Sequence, residues 1–493
     1  MKTDVLIVGA GPVGLTMAAE LARYGLSVRI VEKAAQPTDK SKALVLWSRT
    51  LELIDRMGCT ASFIEAGFKA TAANITVGDK QVAHFTFDGV ATPYPYALMI
   101  PQSDTERLMA RHLNSLGVTV ERELELTGFT SSADSVTSTL RHADGREETM
   151  ESSWLVGCDG AHSTVRHELG FEFLGDTLQS DWILGDIHLT GVPTPGEISV
   201  CWHSEGVLAL FPITANRYRV IADVGTAGDG ARRPDPTLEE VQATLDQRGP
   251  GGIVASDPIW LASFRINERK VADYRGGRAF LAGDAAHIHS PAGGQGMNTG
   301  MQDACNLAWK LALVCRGCPE SPLLDSYSVE RSAVGDAVLK GAGRLTMLAT
   351  LRGGVKQAIR NHLATLVFGL SPVREAMADA MTEISIGYPE SPLSVQGAEI
   401  HGGPKAGKRA PIRPEEAPVG VGNQPRFALF ADSGEEASQL LAQFPNLLEA
   451  APRPPFHDGG LWLVRPDGYV AVATKQGDGE RVAEFLNSMM VAA

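Results

Sequence analysis

The sequence predicts an α/β protein with a Rossmann-type dinucleotide-binding core, an inserted antiparallel β-sheet and a small C-terminal αβ unit. Three observations predict it. The chain opens on an apolar run, a glycine turn, a helical pattern and a second apolar run. Four short apolar runs separated by turn residues recur between about 182 and 224, and the chain then returns to a strand, a glycine-rich loop and a long helical stretch. A chain that leaves a βαβ core and comes back carries an insertion.

In order, Asp4 to Val8 (DVLIV) reads as a strand, Gly9 to Gly14 as a turn, Pro12 to Tyr24 as a helix and Ser27 to Val31 as a second strand. Gly9, Gly11, Pro12, Val13 and Gly14 form a G-x-G-x-x-G motif at this strand-to-helix junction. Glycines there permit a tight turn and let backbone N–H groups approach a pyrophosphate at the positive end of the helix. Glu32 closes the second strand, where a carboxylate accepts hydrogen bonds from ribose hydroxyls. The motif does not separate NAD from FAD.

The runs WILGDIHL, EISVCWHS, GVLALFPI and YRVIADV form the inserted sheet. Arg278 to Ala282 returns as a strand, Met301 to Val314 as a helix, and about 325–381 is mainly helical. The Gly- and Pro-rich stretch Gly402 to Pro425 reads as a linker, and FALFA, LWLVRPDGYVAVA and two helical patterns make the C-terminal unit. The expected boundaries are a core of 1–175 and 270–400, an insert of 176–269, a linker of 401–425 and a C-terminal domain of 426–493.

With 44% hydrophobic and 21% charged residues and a net charge of −14, the chain is globular and acidic, which disfavours nucleic acid and anionic membranes as partners. Six scattered cysteines suit a reducing compartment, so a cytoplasmic location is expected. The apolar N-terminus suits a strand better than a signal peptide, because Asp4 and the glycines interrupt it. No uninterrupted apolar run is long enough for a membrane span. The expected partner is a small molecule.

Two later motifs carry a resemblance. Cys158-Asp159-Gly160-Ala161-His162-Ser163-Thr164-Val165-Arg166 resembles the Asp-Gly motif of the FAD-dependent aromatic hydroxylases, and Gly283-Asp284-Ala285-Ala286-His287 resembles their Gly-Asp motif. The stretch from Pro291 through Gly293-Gly294-Gln295-Gly296-Met297-Asn298-Thr299-Gly300 to Asp303 and Lys310 is similar to the same family. The resemblance implies FAD as cofactor, with Asp284 on a ribityl hydroxyl and the loop at Gly296, Met297 and Asn298 presenting N–H groups to the flavin's pyrimidine edge. It carries cofactor contact to Gln102 in Ile100-Pro101-Gln102-Ser103-Asp104, and to Lys33, Leu126, Asp159 and Thr164. Lys42 stands where relatives usually place Arg; it keeps the charge for a phosphate and lacks the bidentate fork. The C-terminal unit resembles the thioredoxin-like tail of polyketide- and phenol-type members. It has no Cys, so its expected role is packing or dimer formation, in a monomer or homodimer.

The implied activity is hydroxylation of a phenolic or polycyclic aromatic substrate through a flavin C4a-hydroperoxide, with NADPH or NADH as transient electron donor and dioxygen as co-substrate. The protein's tasks are orientation and water exclusion. Pro291 is a substrate-site candidate through its backbone carbonyl; the plainer reading is that it stiffens the turn. His287 reads as structural and His289 as flanking the active-site loop. Trp202, Phe211 and Pro212 are candidates for the pocket wall. Cys315-Arg316-Gly317-Cys318 has C-x-x-C spacing without a second ligand pair, and no metal is expected. Alternative functions are a flavin-dependent reductase of a quinone or prenyl substrate, and a non-catalytic flavin-binding protein. A halogenase is disfavoured by the lack of a Trp-x-Trp pair.

Overall fold

The computed structural model describes residues 3–38, 41, 43–226, 233–351, 353–398, 400 and 402–490. The opening βαβ unit comprises strand β1 (Thr3–Val8), helix α1 (Pro12–Arg23) and strand β2 (Val28–Glu32). Strand β1 lies at the centre of an eight-stranded sheet, with β2 parallel on one side and Glu147–Gly157 parallel on the other. Ala279–Leu281 adds next to Glu147–Gly157, again in parallel. Strands buried on both faces need apolar side chains throughout, which is why Val5, Leu6, Ile7, Leu155, Val156 and Phe280 are all fully buried.

The second sheet has eight strands, in the order His287–Ile288, Val254–Lys270, Leu174–Thr190, Arg217–Gly225, Gly206–Pro212, Ile198–His203, Ala72–Val77 and Lys80–Thr86. Its pairings are antiparallel except that of Ile198–His203 with Ala72–Val77. The sheet therefore reaches outside the expected insert of 176–269. A hairpin from the first segment completes one edge, and His287–Ile288, just after the Gly-Asp motif, closes the other by pairing with Arg269 and Lys270.

The C-terminal unit is a four-stranded sheet, Val395–Gln396, Val470–Lys475, Gly460–Val464 and Ala428–Phe430, with helices Glu435–Gln443 and Gly479–Asn487. Described residues of the 401–425 stretch, expected as a linker, pack against this unit. Ala406 and Ala410 are buried in the apolar cluster of this unit, and the backbone at Gly407 bonds Val470 and Tyr388, so the described part of the segment is packed chain. Its Gly and Pro content serves close packing: a Cβ at Gly420 would lie 2.0 Å from the Pro466 carbonyl oxygen.

This unit is fused to the core by charge as well as by apolar contact. Arg465 reaches Glu330 at 2.6 and 3.0 Å and Asp467 at 2.5 and 3.0 Å, Lys310 reaches Glu330 at 2.8 Å, and all four side chains are at most 3% exposed. Buried ions persist only when each finds partners, so the Pro466-Asp467-Gly468 turn is held at one position against the helices Gly296–Cys315 and Asp325–Ala349. Among the described residues no helix is long and apolar enough to cross a membrane.

Candidate functional site

Three chain segments meet at the carboxyl ends of β1, β2 and Glu147–Gly157, where parallel α/β sheets bind ligands. Gly9 has φ +98°, and a Cβ there would sit 2.4 Å from the Cys158 carbonyl oxygen; one at Gly14 would sit 1.9 Å from the Gly9 carbonyl oxygen. These two glycines are demanded by the protein's own packing. Gly11 differs, because a Cβ there would meet nothing within 4 Å. It caps α1 without a side-chain hydrogen bond, with Pro12 in the first turn, and the space beside its Cα is open.

Beside it Glu32 accepts from the Ala10 and Ala34 N–H groups, each at 2.9 Å, which fixes the carboxylate at the end of β2. A cleft of about 200 Å³ continues from there, lined by Gly9, Glu32, Lys33, Leu126, Asp159, Gly160 and Thr164 among others. Lys33 is exposed and Leu126 buried. Asp159 accepts from the Ser163 hydroxyl at 2.5 Å and from the Thr164 and Val165 N–H groups at 2.7 and 3.3 Å. Its carboxylate thus shapes the Asp-Gly turn. Arg166 of the same motif donates to the Ala285 carbonyl at 3.2 Å and the Ala161 carbonyl at 2.9 Å, bridging the Asp-Gly and Gly-Asp motifs.

At the Gly-Asp motif, Asp284 is exposed between buried Gly283 and Ala285. Its turn is set by Asp303, fully buried, which accepts from the Gly283 N–H at 3.0 Å, His287 Nε2 at 2.7 Å and Arg331 Nε at 2.6 Å. Burial alone would raise the Asp303 pKa, but the Arg331 and His287 charges outweigh it and hold it below the ordinary range. His287, 2% exposed, is a structural donor to this carboxylate. His289 stacks on it at 6.5 Å, and burial pushes its pKa down to about 4, so the ring is neutral near pH 7.

The glycine-rich loop ends at the helix Gly296–Cys315. Asn298 accepts from the Trp47 N–H at 2.8 Å and donates to Val45 and Gly294 carbonyls at 2.8 and 3.0 Å, while Met297 packs against the core. The Pro291 carbonyl accepts from the Gly294 N–H at 2.9 Å, which is the turn-stiffening role. Gln102 stands at the start of the helix Gln102–Ser115; its Oε1 accepts from the Ala43 N–H at 3.2 Å and its Nε2 donates to Glu106 at 2.9 Å. Lys42 lies outside the described residues.

Next to the loop lies an apolar cluster containing Trp47, Phe87, Trp182, Trp202 and Ile213, with Phe211 packed against it. Trp47 ties this cluster to the loop, since its Nε1 donates to the Gly293 carbonyl at 2.9 Å. Trp202 lies under the Arg360 guanidinium at 4.4 Å, and Pro212 is buried at the end of its strand. Trp47, Asp303, Arg331 and Glu383 were not among the sequence candidates. Asp303 stands inside the family-like stretch, but Trp47, Arg331 and Glu383 have no local motif, and only the fold brings them to the loop. The C-x-x-C pair lies at the far end of Gly296–Cys315, with Cys315 exposed and remote from the glycine-rich loop.

The donor set fits FAD. Open space faces the N-terminus at Gly11, a fixed carboxylate ends β2, and an exposed Asp284 and a helix N-terminus lie at the other motifs.

Residues 2–342 match the protein family described as "FAD binding domain". The chain is 34% identical to 6-methylpretetramide 4-monooxygenase from Streptomyces rimosus, over 95% of this chain and 90% of that protein. It is 32% identical to pentachlorophenol 4-monooxygenase from Sphingobium chlorophenolicum, over 68% of this chain and 63% of that protein. Among solved structures, the anhydrotetracycline hydroxylase OxyS from Streptomyces rimosus superposes with a TM-score of 0.81 at 29% identity, covering 100% of both chains.

Proposed function

The chain belongs to the FAD-dependent aromatic hydroxylases, and from that premise we propose that it inserts one oxygen atom into a polycyclic phenolic substrate. FAD is the cofactor and dioxygen the co-substrate, with NAD(P)H the electron donor typical of the family. When bound, FAD supplies hydride acceptance and activation of dioxygen. The remaining work belongs to the protein.

The α1 N-terminus at Gly11 would hold the pyrophosphate, Glu32 the adenosine ribose and Asp284 the ribityl chain. Lys33, Leu126, Asp159 and Thr164 would border the bound cofactor, and Gln102, which bonds Ser41 and Ala43, would contact the flavin. The N-terminus of Gly296–Cys315 would present its positive end to the flavin and favour negative charge on the ring. The Trp47, Trp202 and Phe211 cluster would wall the site and exclude water, and the Pro291 carbonyl remains a candidate to contact the substrate.

The observation that carries this reading is the tie from that wall to the loop: one residue, Trp47, bonds both Gly293 and Asn298. A large ring system is favoured over a simple phenol because the match to the polycyclic-substrate relative runs nearly full length, C-terminal unit included, whereas the chlorophenol relative matches about two thirds.

The test is the absorbance spectrum of the purified protein, then oxidation of NADPH and of NADH with simple and polycyclic phenols. Support is a yellow protein whose NAD(P)H oxidation quickens with a polycyclic phenol and gives a product heavier by one oxygen. Oxygen consumption without such a product points to the reductase, and failure to take up FAD removes the reading.

A further inference from the structure

The first turn of the helix Gly296–Cys315 carries an unresolved hydrogen-bond count. The Thr299 hydroxyl lies 3.0 Å from the Gln295 carbonyl and 3.2 Å from Glu383 Oε1, yet it has one hydrogen to give. Glu383 Oε2 accepts from Gln302 Nε2 at 2.5 Å. The carboxyl is 1% exposed, and its backbone has φ +62°, a left-handed conformation that costs a non-glycine residue energy and persists only where its surroundings impose it. The charged groups facing it are Arg331 and Asp303, which are paired with each other at 2.6 Å.

We propose that Glu383 is a positioning residue of the cofactor turn: as a carboxylic acid it donates to the Thr299 hydroxyl, which passes its own hydrogen to the Gln295 carbonyl. The Thr299 count then closes, with Gln302 Nε2 donating to the other Glu383 oxygen. The relay ends on Gln295, whose side chain donates to the Ala380 carbonyl at 2.9 Å, so the turn is clamped to the chain that leads into Glu383. Burial pushes the Glu383 carboxyl up to about 8, which keeps the proton in place near pH 7. Ionisation leaves two acceptors competing for the Thr299 hydrogen and loosens the turn.

The assignment of the turn to FAD rests on the functional reading above. The test compares FAD dissociation constants, from flavin fluorescence, for the wild-type protein and Glu383→Gln between pH 6.5 and 9.5, alongside thermal unfolding of both apoproteins. Glutamine reproduces the neutral acid's donor and acceptor and does not titrate. The expected result is wild-type affinity weakening about tenfold more than that of Glu383→Gln from pH 7 to 9, with matching affinities at pH 7. Equal pH dependence in the two proteins, or a large loss in Glu383→Gln at pH 7, overturns the relay. If neither protein binds FAD, the functional reading fails, and the apoprotein melts still decide the relay: the wild type alone must lose stability toward pH 8, and parallel melts overturn it.

Discussion

Two methyl groups, placed three residues apart, separate a glycine that the fold needs from one that the cofactor needs. In Gly14→Ala the new Cβ lies 1.9 Å from a backbone oxygen, and α1 cannot move without leaving β1. Overpacking against backbone costs about 3 kcal/mol or more, so this variant is expected to be insoluble or strongly destabilised. In Gly11→Ala the methyl meets no protein atom within 4 Å, and the residue's φ of −73° and ψ of −176° suit alanine. The structural cost is that of a poorer helix cap, about 0.5–1 kcal/mol. On the proposed placement of FAD, the methyl enters the space where backbone N–H groups would meet the pyrophosphate. Losing two such bonds to a charged group costs about 3–6 kcal/mol, or roughly 10²- to 10⁴-fold in affinity. The assay is FAD titration by fluorescence with calorimetric melting of the apoprotein. Gly11→Ala should melt within a few degrees of wild type and bind FAD at least about a hundredfold more weakly. Affinity within about threefold of wild type refutes the placement of the cofactor at Gly11, and an apoprotein as damaged as Gly14→Ala refutes the division between the two glycines.

Asp303→Asn leaves the buried Arg331 guanidinium facing a neutral amide, which should cost about 3–5 kcal/mol and show as a lower melting midpoint together with weaker FAD binding. His289→Gln should leave the pH dependence of substrate-stimulated NADPH oxidation unchanged between pH 6 and 8, because a ring held down to about 4 does not titrate there; a shifted profile in stopped assays opposes this. Acid stability follows from Glu330, Glu52 and Asp303. Burial alone would raise all three, but Arg465 and Lys310, Arg409 and Arg49, and Arg331 respectively outweigh it, so their folded pKa values are depressed. Their contribution is full above the unfolded carboxylate range and is lost progressively as pH falls from that range toward the lower folded values, so the melting midpoint should drop steeply below about pH 4. Glu383 has the opposite sign. Its folded pKa is raised, so its contribution is full below about 4.5 and is lost by about 8.

The cofactor half of the site was legible because its chemistry is local. A turn that admits a pyrophosphate needs Gly9, Gly11 and Gly14 within one short stretch, and a strand-end carboxylate at Glu32 completes it within the same βαβ unit. Hydrophobic periodicity made the strands and α1 legible for the same reason, since burying one face sets the spacing of apolar residues along one segment. The expected insert of 176–269 and linker of 401–425 are places where segments distant in sequence meet. The hairpin Ala72–Thr86 finds its partner at Ile198–His203, and Gly407 and Gly420 lie against the backbone of Tyr388 and Pro466. No local pattern marks Trp47 bonding Gly293, Arg331 neutralising Asp303, or a left-handed Glu383 beside Thr299. A buried charge or strained residue is tolerable only once its partner has arrived, and the partner's distance along the chain is set by topology. Backbone chemistry confined to one turn is therefore written in the residues themselves, whereas the electrostatics that hold the cofactor loop in place come into being only when the chain is folded.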